Sequence, residues 1–191
     1  NRSTSGRKSV AVVSPCWLFG TDDYMQVADN ALLNFGATQD FALLVIARQW
    51  DTIVNNAPHL NKLNTDYEGY TVWVQLGNVG PRAFGVRLED TQANAIGRDS
   101  PVTDNESDLR VEAFVADRNN DSGIAYMNGV ASATSNISSI DDLTNAAPLI
   151  VGRLGNFGQY QDFEFVAAAV FRRALTSGEI ETLSTYFQSR G

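Results

Sequence analysis

The chain has a single cysteine, Cys16, a single histidine, His59, and only two lysines, Lys8 and Lys62, among its 191 residues. A lone cysteine makes no internal disulfide, so packing must hold the fold. Cys16, beside Pro15 and Trp17, reads as a small buried apolar residue. One Cys and one His do not make a zinc set. With no Gly-x-Ser-x-Gly elbow, His59 would have to serve a nucleophilic centre alone, and it reads as plain loop surface. No glycine-rich loop between a strand and a helix is available to cradle phosphate. Long apolar runs are also missing. The run from Phe41 to Ala47 is far short of the roughly 20 residues a membrane-spanning helix needs. Basic residues number 14 against 22 acidic ones, giving a net charge of -8 and a pI near 4.5. That balance leaves no basic stripe for nucleic acid and disfavours an anionic membrane surface. Asn1 stands where a start Met would be, with no signal-like apolar region after it, which suggests a processed or excised piece.

Hydrophobic residues make up 43% of the chain, enough for one sizeable core. Residues 1–9 are small, polar and locally basic, through Arg2, Arg7 and Lys8, and read as an arm or linker. Residues 10–191 are expected to form one domain. Its organising stretch is 109–129. Leu109, Val111, Ala113 and Val115 alternate with Arg110, Glu112, Phe114 and Ala116, the pattern of a half-buried strand. Asp117 to Gly123 is turn chemistry, Ile124 resumes the alternation, and Asn128-Gly129 is a strong hairpin signal. Consecutive hairpins imply an antiparallel sheet.

Further strands are expected at Val10–Val13, Tyr24–Val27, Gly69–Leu76, Arg82–Glu89, Ala93–Gly97, Pro148–Gly152 and Phe163–Phe171. Phe41–Ala47, apolar on both faces, should be a central strand covered on each side. Arg48 to Glu68, with Pro58 and several Asn, reads mostly as loop, and Ala131 to Asn145 carries few signals. One helix is convincing: Thr176 and Glu179 form a capping box, and Ile180, Leu183 and Phe187 make an apolar stripe. It should dock on a sandwich edge. The economical architecture is two antiparallel sheets packed face to face, filled by Trp17, Trp50, Trp73 and the phenylalanines.

Several blocks stand in the order found in concanavalin A-like, laminin G-like jelly rolls. They are Gly20 to Val27, Phe41 to Trp50, Lys62 with Gly69-Tyr-Thr-Val, Val111 to Gly129, and the closing Pro148-Leu-Ile-Val-Gly152 with Arg173-Ala-Leu-Thr-Ser-Gly-Glu-Ile180. The resemblance covers roughly residues 16–187 and implies an all-β jelly-roll sandwich with one short C-terminal helix. The wording Val166-Ala-Ala-Ala-Val-Phe-Arg-Arg-Ala-Leu175 is similar to laminin G-like domains in structural proteins of tailed bacteriophages.

That fold hosts both enzymes and binders, so function rests on the site. The Glu-x-Asp-x-x-Glu strand of the hydrolytic branch is absent. Glu112 and Glu164 stand alone on their strands and read as solvated carboxylates. Asp117-x-Asn119-x-Asp121 has calcium-loop spacing, but its glycine is one position late and Asn128 stands where a Glu is needed. As in many relatives of this fold, Asp22-Asp23 and Asp141-Asp142 are available to give oxygens to calcium at a sandwich rim. A sugar needs aromatic faces beside polar groups, and the loop Arg153 to Asp162 offers Asn156, Phe157, Gln159, Tyr160 and Asp162; a protein interface there is the equal alternative. The resemblance implies a non-enzymatic virion module, a capsid decoration or minor tail protein on the particle surface. Its partners would be other virion proteins, held through Arg2, Arg7 and Lys8, with adhesion to a glycan or host surface and room for an oligomer. The rival reading is a secreted carbohydrate-binding lectin domain, with or without calcium.

Overall fold

The computed structural model describes residues 17–19, 22–49, 57–75, 83–90, 94–99, 109–154, 159–160 and 163–190. The strands are β1 (Trp17–Phe19), β2 (Met25–Val27), β3 (Phe41–Gln49), β4 (Ala57–Leu63), β5 (Gly69–Gln75), β6 (Ala83–Glu89), β7 (Ala95–Asp99) and β8 (Leu109–Asp117). They continue with β9 (Ser122–Met127), β10 (Val130–Ala131), β11 (Ser135–Asn136), β12 (Leu149–Val151), β13 (Arg153–Leu154), β14 (Gln159–Tyr160) and β15 (Phe163–Phe171); helix α1 (Ser177–Gln188) follows. Among the described residues the first sheet runs β1-β15-β3-β8-β9-β10 with β11 also on β9, the second runs β2-β12-β4-β5-β6-β7, and β13–β14 forms a separate hairpin. The pairings are antiparallel throughout. The chain is an all-β two-sheet sandwich of jelly-roll type with a C-terminal helix.

The organising hairpin forms as its residues dictate. Asp117 caps a 3-10 turn over Arg118–Asn120, and Asn128 and Gly129 take positive φ of 54° and 85°, the turn that lets β9 reverse into β10. Strand β3 is central and covered twice. Phe41, Leu43, Val45 and Ala47 join the core between the sheets, while Ala42, Leu44 and Ile46 join a second cluster beneath α1.

The helix begins as its capping box requires, with reciprocal bonds between Thr176 and Glu179. It lies over the outer face of β3 and β8, with Ile180 buried and Leu183 and Phe187 packed against Val111, Ala113 and Val115. This corrects the expected edge position, and the reason is the second apolar face of the central strands. Consequently β8 is buried on both sides rather than half buried.

Three further expectations are corrected. The described part of Arg48 to Glu68 is not mostly loop, because β4 occupies its second half as an inner strand between β12 and β5. Pro58 is tolerated there because it sits at a β-bulge beyond the reach of β12. The quiet stretch 131–145 contributes Ile137, Ile140 and Leu143 to the core as a buried plug. Trp17 is 51% exposed and Trp73 is half-buried, so the core is filled by phenylalanines, Tyr70 and aliphatic residues; Trp50, Cys16 and Val10–Val13 lie outside the described residues.

Candidate functional site

Among the described residues two constellations of charged and aromatic side chains bear on function, and burial separates their roles. The first is the pair His59 and Glu112. A regular strand would turn His59 away from the side that Leu60 faces, but the bulge between Pro58 and Leu60 re-aims it inward. There its Nδ1 lies 2.8 Å from Glu112 Oε2 on the opposite sheet, and its ring stacks on Phe163 at 4.8 Å. Both side chains have no exposed surface. Glu164, on the outer face of its sheet, pairs with Arg48 at 2.9 Å across the strands.

The expectation of a surface histidine and solvated glutamates is therefore corrected. Each polar residue had a partner far away in sequence that only strand register brings near. A His–Glu pair has the elements of acid–base chemistry, but this one is sealed between two sheets where no substrate reaches it. It acts as a polar cross-link.

The second constellation is open. Tyr24, 40% exposed, leads into β2 at the end of the second sheet. The Arg153 guanidinium lies over its ring at 3.9 Å, and the Tyr160 ring is 6.4 Å from it at 53°. Arg153 and Tyr160 are directly paired across the β13–β14 hairpin.

Local structure fixes this arrangement. Gly152 turns the chain out of β12 with φ of 86°, and a Cβ there would come within 2.8 Å of the Phe19 ring, so only glycine fits. The Gly152 N–H donates to the His59 carbonyl at 3.2 Å. The fully buried Asn61 donates its side-chain N–H to the carbonyls of Arg153 and Ile150. The guanidinium itself makes no hydrogen bond or ion pair to the described residues, and its Nε is buried without a partner.

Of the ligand residues expected from sequence, Tyr160 is in this rim. The Gln159 backbone pairs with Leu154, while Asn156, Phe157 and Asp162 lie outside the described residues, as does the arm of Arg2, Arg7 and Lys8. Asp22 and Asp23 are exposed and immediately precede Tyr24. Asp141 and Asp142 sit at the opposite end of the second sheet, beside Asp90, whose carboxylate accepts from the Asp141 N–H at 2.8 Å. The Asp142 carboxylate accepts from the Thr144 N–H. The two acidic pairs therefore share no site, and among the described residues no three His, Cys, Asp or Glu converge on a metal position. Sequence reasoning names Arg153 only as the start of the candidate loop and does not assign it or Tyr24 a role. The available signal is position, Arg153 opening that loop and Tyr24 following Asp22-Asp23.

An apolar groove of about 510 Å³ opens between β2 and β15, lined by residues such as Met25, Leu33, Leu149, Phe165 and Val170. Arg172 lines it too, but its guanidinium is spent on the carbonyls of Ala31 and Asn34 and on Gln39 Oε1. The rim, by contrast, sets the Tyr160 ring beside the Arg153–Tyr24 stack and keeps an unspent donor, the combination that orients a polar ligand.

No family model matches the chain, and no curated protein matches it. Solved structures do. The binding domain of Paraclostridial mosquitocidal protein 1 is similar with a TM-score of 0.72 at 16% identity, over 89% of this chain and 43% of that one. The receptor binding domain of botulinum neurotoxin mosaic serotype C/D gives 0.71 at 12%, over 92% and 43%. The binding domain of botulinum neurotoxin serotype G gives 0.63 at 13%, over 94% and 48%. The chain thus spans less than half the length of each, and the likeness is one of fold.

Proposed function

We propose that the chain is a non-enzymatic binding module that engages a glycan or host-cell surface through Tyr24, Arg153 and Tyr160. The observation that carries this reading is the open rim itself: the Tyr160 ring beside the Arg153–Tyr24 stack, with an unspent guanidinium on a backbone pinned by Asn61 and Gly152. Rings of this kind take the apolar face of a pyranose while neighbouring donors take its hydroxyls. The names of the similar structures, all binding domains, support the same class. The sealed state of His59 and Glu112 argues against their use in catalysis.

The setting we propose is the surface of a tailed-phage particle, as capsid decoration or minor tail protein. The support is the wording of the closing block from Val166 to Ile180. A free secreted lectin uses the same rim and differs only in where the protein resides. Glycan-array binding that falls at least tenfold in Tyr24→Ala and in Tyr160→Ala supports the binding reading. A blank array, with and without calcium, overturns it. Co-sedimentation with assembled particles separates the virion setting from the secreted one.

A further inference from the structure

We infer that the ligand of this rim carries a carboxylate, as a uronic acid or another acidic sugar does, and that Arg153 binds it. The inference rests on the glycan-binding reading and narrows it. In a chain of net charge -8, arginines have acidic or carbonyl partners in ready supply, and most of the other described arginines use them. Arg48 pairs with Glu164, Arg87 with Glu89 and Arg173 with Glu179. Arg118 and Arg172 spend their guanidinium groups on main-chain carbonyls. Arg190 lies over Tyr186 at 4.3 Å in the turn that ends α1, where the helix dipole favours a cation.

Arg153 has no such use among the described residues. There its charge rests on the Tyr24 face, with the backbone held at Gly152 and at the Arg153 carbonyl. A guanidinium presents a planar fork that matches a carboxylate with two parallel hydrogen bonds, and stacking on an aromatic ring keeps that plane oriented. A neutral sugar would leave the charge unused. A ligand carrying several charges would meet Asp22 and Asp23 next to Tyr24 as well as the acidic surface, so one carboxylate on one arginine is the charge balance that fits. The Tyr160 ring, 6.4 Å from that of Tyr24, is then the neighbouring aromatic face for the sugar ring.

The test is titration calorimetry of the whole chain with an otherwise neutral oligosaccharide that ends in one uronic acid and with its carboxyl-reduced, neutral counterpart, for the unaltered protein, Arg153→Gln and Arg153→Lys. The expected result is at least tenfold tighter binding of the acidic oligomer, a preference lost in Arg153→Gln and only partly retained in Arg153→Lys, which keeps the charge without the fork. Equal binding of both oligomers overturns the carboxylate inference and leaves the glycan reading standing. Binding of neither, with a blank array of acidic and neutral glycans, overturns both. If Arg153→Gln misfolds, the comparison of the two oligomers on the unaltered protein still decides.

Discussion

Removing the Glu112 carboxylate should damage this fold more than almost any other single polar change. Glu112 and His59 have no exposed surface and meet at 2.8 Å between the two sheets; Arg110, on the same face of β8, is fully buried too. Glu112→Ala strands the imidazole in an apolar layer against Phe163. Truncating one partner of a buried pair costs about 3–5 kcal/mol, most of it the desolvation of the group left behind. For a chain of this size about 1 kcal/mol moves the melting temperature by roughly 2–4 °C, so the expected fall is about 6–20 °C. Guanidinium denaturation should show a lower midpoint with unchanged slope. The double variant His59→Leu/Glu112→Val, apolar and of similar total volume, should recover part of that loss, because the pair's own desolvation cost is removed while buried Arg110 stays. The reasoning is refuted if Glu112→Ala costs less than about 1 kcal/mol, or if the double variant is as unstable as the single ones combined.

Other changes probe the rim and the helix. Gly152→Ala should cost at least about 1 kcal/mol, since it forces an L residue to a φ of 86° and a methyl into the Phe19 ring; calorimetry should also show weakened rim binding. Asn61→Ala leaves the carbonyls of Arg153 and Ile150 without their donor, an expected loss of about 1–3 kcal/mol in denaturation, and ligand affinity should drop at temperatures where the fold is still intact. The Glu179 carboxyl is held down at about 2 by the Arg173 guanidinium and the Thr176 N–H. A lowered carboxylate stabilises above its ordinary value of 4.5 and loses that contribution as pH falls toward 2. Protection factors of the amides at the start of α1, corrected for the intrinsic exchange rate, should therefore fall across that window, and Glu179→Gln should remove that fall.

Those features differ in how far the sequence reveals them. The 109–129 hairpin, the doubly apolar β3 and the capped helix are legible because their causes are local: alternation, turn residues and a four-residue box. Strand β4 is not, because Ala57-Pro-His-Leu-Asn-Lys-Leu63 has neither alternation nor β-branched residues. Its polar side chains find partners elsewhere: His59 Nδ1 in Glu112, Asn61 in the turn into β13, and Lys62 in Asn145 and Asp29. Burial pushes the Lys62 ammonium down while Asp29 opposes the shift. Tyr160 is legible as an aromatic in a polar loop. Tyr24 is hidden because its alternation places it on a strand, and only the register of β2, β12 and β13 shows which loop it meets.

The strand that the pattern conceals is also the one that connects core and rim. From β4, His59 crosses the sandwich to Glu112, its carbonyl receives the Gly152 N–H, and two residues later Asn61 holds the Arg153 carbonyl. Lys62 reaches the other way, tying Asn145 and Asp29 to the far end of the same sheet. A run of buried polar groups costs desolvation at every step, and each partner it finds offsets part of that cost. Those partners fix the position of β4 within hydrogen-bond tolerance. The hairpin bearing Arg153 and Tyr160 has only two residues in each strand, too few to hold itself in place, so its orientation over Tyr24 is inherited from β4. The polar strand that makes the core hard to read is thus what makes a small surface hairpin rigid enough to bind.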